Sequence, residues 1–186
     1  MFYLVDMSRD GSLTPTARVI LGLIRLGART GYDIKQTIEV STRFFWNASY
    51  GQIYPELRRL EEAGLVESEP DPGSGRKRTL YSLTAAGEQS LHAWLTGPGD
   101  MFDMRDEALL KLFFGDLLAP DEVLANLRRR RESFEQVLEL FRAIEARGPD
   151  MERGYVYPRK TLDFGIELIG WMIDWYAQAE RDLDPG

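Results

Sequence analysis

The 186-residue chain has no cysteine. That excludes disulfides and thiolate-held metal centres, and it fits a cytoplasmic protein. Its one histidine, His92, has neither a cysteine nor a second histidine beside which to complete a usual zinc site. A serine triad would have to draw on that same histidine from a predicted linking helix, which is a poor arrangement for it. There is no P-loop and no dinucleotide-binding glycine pattern. No metal site, no cofactor, no catalytic residue and no enzymatic activity are therefore expected. No uninterrupted apolar run is long enough to span a bilayer, and residues 1–10 carry Asp6 and Asp10, which makes them a poor signal peptide. No membrane partner is expected.

Hydrophobic residues make up 44% of the chain and charged residues 28%, the balance of an ordinary globular protein of one domain or two small ones. Acid is unevenly placed. Residues 1–85 hold 11 Lys and Arg against 10 Asp and Glu, a balance of +1; residues 86–186 hold 12 against 20, a balance of −8, and together these give the net charge of −7. Phosphate binding depends on local positive charge, so an acidic second half does not forbid a nucleic-acid-binding first half. It predicts weak non-specific binding that is sensitive to salt.

The first half reads as helix, helix, helix, strand, basic hairpin, strand. Leu13–Leu26 is predicted helical, with Thr14 as its cap, Pro15 at the first helical position and Gly27 past its end. Gly31 to about Val40 follows, with Thr30 as cap. Phe44, Phe45 and Trp46 form an aromatic cluster in the next link. Ser49 and Gln52 fit a capping box that opens a third helix over Ser49–Ala63, ended by Gly64. Ile53, Leu57 and Leu60 give it an inward face. Pro55 falls one turn inside it, where a kink is expected. Strands are predicted at Leu65–Glu69 and Thr79–Leu83, around a turn-rich tip from Pro70 to Gly75, and a linking helix at Ala85 to about Leu95. Gly97-Pro98-Gly99 then breaks the chain, giving domains at 1–96 and 97–186. The rest is helical, at about 106–118, 121–147 and 158–182. The expected fold class is mainly α with a small β-hairpin: an N-terminal winged helix-turn-helix and a C-terminal helical dimerisation domain.

This order of elements points to double-stranded DNA as a partner. The third helix turns Gly51, Pro55, Arg58 and Arg59 away from its core side, with Tyr54 at the flank. Small residues at its start allow close approach to base edges in the major groove. Ser49, Tyr50, Gln52 and Tyr54 offer hydroxyl and amide groups there, while Arg58 and Arg59 are placed for phosphates. Arg76, Lys77 and Arg78 in the hairpin suit the neighbouring backbone or the minor groove. The competing reading is a winged-helix protein-interaction module that binds no DNA, which the acidic total charge favours.

The segment from Ser49-Tyr50-Gly51-Gln52-Ile53-Tyr54-Pro55-Glu56-Leu57-Arg58-Arg59-Leu60 to Glu61-Glu62-Ala63-Gly64-Leu65-Val66 resembles the recognition-helix signature of PadR-type transcriptional regulators. Gly31-Tyr32-Asp33-Ile34 resembles the start of that family's second helix. Gly75-Arg76-Lys77-Arg78 and Tyr81 to Gly87 resemble its wing and exit, and Arg105 to Phe114 the start of the C-terminal domain of its larger members. The resemblance covers about residues 13–147. It implies a homodimeric regulator, most often a repressor of a nearby gene, in which Tyr54 is the recognition-helix tyrosine and Arg76 and Arg78 the basic wing. It implies a small-molecule effector without indicating its pocket.

Dimerisation is also expected from the helices themselves. Val123, Leu127, Arg130, Phe134, Val137, Phe141 and Ile144 alternate spacings of four and three, a heptad-like seam interrupted by Arg130. Leu162, Ile166, Ile169, Ile173 and Tyr176 repeat it in the last helix, whose other face carries Phe164, Leu168, Trp171 and Trp175. A helix apolar on two sides must be covered on both, and a domain of this size has little interior for it; one face can pack within its own chain and the other on a partner copy, and which face does which is left open. Phe134, Phe141, Leu162, Ile166, Ile169, Ile173 and Tyr176 are the expected dimer residues, and a pseudo-palindromic DNA site the expected target. The run Arg128 to Arg131 is expected to be a solvated helix face paired with Glu132 and Glu135.

Overall fold

The computed structural model describes residues 13–46, 50–72, 78–99, 106–147 and 156–184. They fall into two units that divide between residues 100 and 101. The protein is mainly helical, with one two-stranded antiparallel hairpin.

In the first unit Thr14 and Pro15 act as their residue types dictate. Thr14 has an extended backbone and its Oγ1 accepts from the Ala17 amide at 3.0 Å; Pro15 opens α1 (Pro15–Arg25), where a missing amide donor costs nothing. Thr30 caps α2 (Gly31–Glu39) in a closed box with Asp33, each side chain accepting from the other's backbone amide. The sequence reading found the cap and missed Asp33 as its partner. α1 ends at Gly27 (φ 104°), and the third helix at Gly64 (φ 68°), conformations that L side chains rarely adopt.

The third helix begins later than expected. Tyr50–Gln52 is a 3-10 turn and α3 proper is Ile53–Glu62. Ser49 lies outside the described residues, and Gln52 makes no capping bond through its side chain. Pro55 is therefore the third residue of α3. The first amides of a helix have no carbonyl partner within it, so the lost donor is not missed and the reason for a kink disappears.

Strand β1 (Val66–Pro70) pairs with β2 (Thr79–Leu83) in the register Val66 to Leu83 and Pro70 to Thr79. β1 starts one residue later than expected, the Leu65 amide being turned back to the third helix. That amide donates to the Leu60 carbonyl at 2.9 Å and the Leu65 carbonyl accepts from Thr84 at 3.2 Å. The Tyr81 amide donates to the Arg29 carbonyl at 2.7 Å, which ties the hairpin to the link between α1 and α2. α4 (Ala85–Thr96), capped by Thr84, lies so close to that corner that a Cβ at Gly87 would sit 1.9 Å from the Leu65 carbonyl oxygen. The core of this unit is formed by Ile20, Leu21, Ile34, Ile38, Ile53, Leu57 and Leu60, each no more than 1% exposed. Enclosing each contributes about 1.5–3 kcal/mol.

The second unit contains α5 (Glu107–Phe113), α6 (Pro120–Arg147) and α7 (Val156–Leu183). Leu127, Phe134 and Tyr176 form its buried cluster, with Leu109, Leu112, Val123, Ile169, Met172 and Ile173 packed on it. Several residues expected at the dimer seam are enclosed within one chain. Phe134 and Tyr176 meet inside one chain, ring centroids 5.7 Å apart, and Phe141 packs against α7 at Gly165. Ile169 and Ile173 join the same cluster, and Leu162 and Ile166 are half-buried on α7. A heptad seam records which face of a helix meets another helix; here α6 and α7 of a single chain satisfy it.

The interruption at Arg130 is also explained. Its guanidinium pairs with Asp106 and lies 4.3 Å from the Phe134 ring centre. Arg131 pairs with Glu135 and Glu180, and Arg128 with Glu180. Three of the four consecutive arginines thus tie elements together. They do not pair with Glu132, which four-residue spacing alone had suggested.

Candidate nucleic-acid interface

α3 presents two faces fixed by its core. Ile53, Leu57 and Leu60 point inward, so Gly51, Gln52, Tyr54, Pro55, Arg58 and Arg59 are left exposed. The structure brings these six together along one surface. Tyr50 belongs to the same 3-10 turn as Gly51 and Gln52. Ser49, Arg76 and Lys77 lie outside the described residues. Arg78 is exposed at the base of the hairpin, where its carbonyl accepts from the Asp71 amide at 2.9 Å.

Tyr54 is half exposed, and one side of its ring is held. It lies over Gly31 at the start of α2: a Cβ there would fall 2.6 Å from Tyr54 Cε1. The glycine thus leaves the space that the Tyr54 ring occupies against the start of α2. Nothing in the one-dimensional sequence joins these two distant positions, and the sequence reading gave Gly31 no role.

Arg58 and Arg59 are not equivalent. Arg59 Nη2 is 2.9 Å from Glu56 Oε1, and the same oxygen accepts from Thr14 Oγ1 at 2.6 Å. Glu56 is largely enclosed, so Arg59 is held along the helix and is a weaker candidate for a phosphate than its neighbour. Arg58 is exposed and close enough to Tyr81 to affect its ionisation. Burial and the charge of Glu61 push the Tyr81 phenol upward, Arg58 opposes them, and the phenol stays protonated near neutral pH. The arrangement gives a flat, mostly uncharged start to α3, a positioned phenol, and cationic groups further along. It suits base-edge contact at the helix start and phosphate contact beyond it.

The helix before it contributes a second exposed surface. Tyr32 is half exposed and its hydroxyl accepts from Gln36 Nε2 at 2.8 Å, with Lys35 exposed between them. In helix-turn-helix proteins the first helix crosses the DNA backbone, which makes these exposed residues candidates for contact with it. The sequence reading singled out none of the three for contact. Their exposure on the side opposite Ile34 and Ile38 was the available signal.

Two family models match the chain: the transcriptional regulator PadR-like family over residues 20–93 and the virulence activator alpha C-terminal family over residues 104–184. The negative transcriptional regulator PadR of Bacillus subtilis is 28% identical over 176 residues, covering 88% of this chain and 96% of that protein. The crystal structure of Bacillus subtilis PadR in complex with operator DNA superposes with a TM-score of 0.78 at 25% identity, covering 90% of this chain and 98% of that one. The structure of the same protein in complex with p-coumaric acid gives 0.74 at 25% identity, covering 92% and 99%.

Proposed function

The chain belongs to the PadR-like family of transcriptional regulators, and from that premise we propose that it is a sequence-specific DNA-binding repressor that acts as a homodimer and answers to a small-molecule effector. The observation that carries this reading is the surface of α3, where Tyr54 is seated on Gly31 beside the exposed Gly51, Gln52 and Arg58. Arg76, Lys77 and Arg78 supply backbone contacts from the hairpin. Operator binding by the similar Bacillus subtilis PadR supports the assignment, and its p-coumaric acid complex supports an effector. A cytoplasmic location is part of this proposal.

The dimer uses the face of α7 that its own chain leaves uncovered. Tyr157, Phe164, Trp171 and Trp175 are 83%, 64%, 61% and 38% exposed and follow one another at heptad-compatible spacings. Aromatic residues in such a stripe are what an isologous interface buries at its centre. Two reading heads then address half-sites about 34 Å apart, or a multiple of that.

Fluorescence anisotropy with a duplex from the gene's own upstream region, over a range of salt, tests the proposal against an unrelated duplex. The native duplex is expected to be preferred, with affinity falling as salt rises. Tyr54→Ala is expected to lose about 1–3 kcal/mol of that preference, about 5- to 150-fold. Reversing Arg78 to Glu is expected to weaken both duplexes alike. No preference for any duplex, including those selected from random pools, would leave the protein-interaction module as the better reading.

A further inference from the structure

We infer that Arg59 reads a guanine in the major groove and that Glu56 is the residue that positions it. This deepens the DNA-binding reading above and rests on it; it assigns Arg59 to a base and not to the phosphate backbone.

Glu56 and Arg59 stand one turn apart on α3, and their contact is one-sided. Arg59 Nη2 lies 2.9 Å and Nε 3.3 Å from the same oxygen, Glu56 Oε1. One edge of the guanidinium is therefore spent on the carboxylate. Nη1 and the second hydrogen of Nη2 take no part in that pair and make a fork of two parallel donors. The Arg59 side chain is 48% exposed and that of Glu56 only 12%. The carboxylate is the fixed member of the pair and the arginine the accessible one.

What fixes the carboxylate lies outside α3. Thr14 Oγ1 accepts from the Ala17 amide at 3.0 Å as the cap of α1, and it donates to Glu56 Oε1 at 2.6 Å. Thr14, Glu56 and Arg59 thus form a chain from the start of α1 to the exposed side of α3. A long side chain is ordered before any ligand arrives, which lowers the ordering cost of binding. Attraction to a phosphate does not require this, because it depends on charge more than on orientation. Arg58 is exposed and tied to no carboxylate among the described residues, which is the condition a phosphate contact asks for.

Charge decides the kind of acceptor. The carboxylate offsets much of the pull of Arg59 on a phosphate, and a bound phosphate would bring a second negative group close to Glu56. A neutral acceptor meets no such repulsion and still takes charge-assisted hydrogen bonds. In the major groove guanine alone shows two neighbouring acceptors, O6 and N7. Adenine and cytosine each present a donor, and thymine has one acceptor beside a methyl group. A fork made only of donors matches guanine and mismatches the other three.

The test is fluorescence anisotropy of the full chain on three kinds of DNA: a duplex that the wild type recovers from a random pool, the same duplex with each G·C pair replaced singly, and an unrelated duplex. The wild type is expected to lose about tenfold when one particular G·C pair of a half-site is replaced. Arg59→Lys keeps the charge and removes the fork. It is expected to bind the parent duplex about tenfold more weakly and to be indifferent to that same pair. Its affinity for the unrelated duplex and its dependence on salt should stay as they were. Glu56→Gln loosens the guanidinium and removes the nearby charge. It is expected to discriminate less at that pair and to bind the unrelated duplex more tightly, with the slope of log affinity against log salt steeper by about 0.9 as Arg59 gains a phosphate. Circular dichroism and thermal melts establish that both variants fold. Specific binding in which Arg59→Lys keeps every base preference of the wild type overturns the assignment to guanine, as does an equal loss on all duplexes. Undiminished discrimination in Glu56→Gln overturns the positioning role. A wild type that prefers no duplex fails the DNA-binding reading itself, and this inference with it.

Discussion

The two units enclose their apolar residues to different depths. In the first, Ile20, Leu21, Ile34 and Leu57 are wholly buried within short elements that cross one another. In the second, the best-buried residues, Leu127 and Tyr176, stay 2% and 3% exposed, while Phe113, Leu117, Tyr157 and Phe164 lie 79%, 81%, 83% and 64% in the open. Geometry explains the contrast. Four short helices and a hairpin surround a centre, whereas two 28-residue helices lying along each other cover only one stripe apiece. A reading head must hold its shape by itself; a dimerisation unit is completed by its partner. The comparison predicts that the first unit's stability is independent of protein concentration and that the second's is not.

Breaking the partner face should have the largest effect. Trp171→Glu places a charge in the middle of the exposed stripe of α7, at a residue that contributes nothing to the buried cluster. Loss of such an aromatic anchor costs about 2–4 kcal/mol, and an unpaired interfacial charge adds to it. Sedimentation equilibrium is expected to show monomer at micromolar concentration, with operator affinity reduced because one reading head must bind alone. A dimer of undiminished affinity would place the interface elsewhere.

Next in size is a change confined to the first unit. Gly87→Ala forces a methyl group into the Leu65 carbonyl, 1.9 Å from its oxygen, and backbone on both sides must move. A loss of about 3 kcal/mol or more is expected. Differential scanning calorimetry should show the cost in one transition and leave the concentration-dependent one in place. A fall in both would mean that the units do not melt separately.

How far the sequence foretold this contrast varies along the chain. Caps and terminators are local: Thr14, Pro15, Thr30, Gly27 and Gly64 act within a few residues of themselves and were legible. The inward face Ile53, Leu57 and Leu60 followed from periodicity. What periodicity cannot supply is the identity of the partner. The seam through Phe134 and Tyr176 was legible as a seam, but whether the second helix lay in the same chain was not. Likewise α3 was placed correctly and its first turn was not, because a 3-10 turn and an α-helical turn over Tyr50–Gln52 share the same residues and differ in a single hydrogen-bond step. The seat of Tyr54 on Gly31 was out of reach for the same reason: it is a contact between separate elements.

That seat gives the third prediction. If Gly31 serves DNA binding through Tyr54, then Gly31→Ala and Tyr54→Ala should not add. Gly31→Ala alone is expected to weaken the native duplex by about 1 kcal/mol while leaving the salt dependence as it was. In a Tyr54→Ala background it should do nothing further. Additive losses would mean that Gly31 matters for packing alone and that the slot has no part in reading DNA.

The smallest expected effect concerns acid, and it falls on the second unit. Burial raises the Asp106 carboxyl, but the hydrogen bond from Arg130, the Leu109 amide, the charge of Arg130 and the Ala108 amide outweigh it and hold the carboxyl below its ordinary value of 3.8. A folded-state value below the unfolded one means that this carboxylate stabilises the unit above that range. The contribution is lost as pH falls through it toward the folded value. Asp106→Asn keeps an acceptor at the start of α5 and removes the charge. Its stability should therefore be lower than the wild type's at neutral pH and should change less between about pH 5 and pH 2. Glu107 and Asp163, also held low, by Lys111 and by Arg159 with Lys160, remain in the variant, so a residual slope is expected. Urea unfolding across that interval decides the matter. Parallel curves would show that the Asp106–Arg130 pair adds no net stability to the unit, the outcome a solvent-screened ion pair would give.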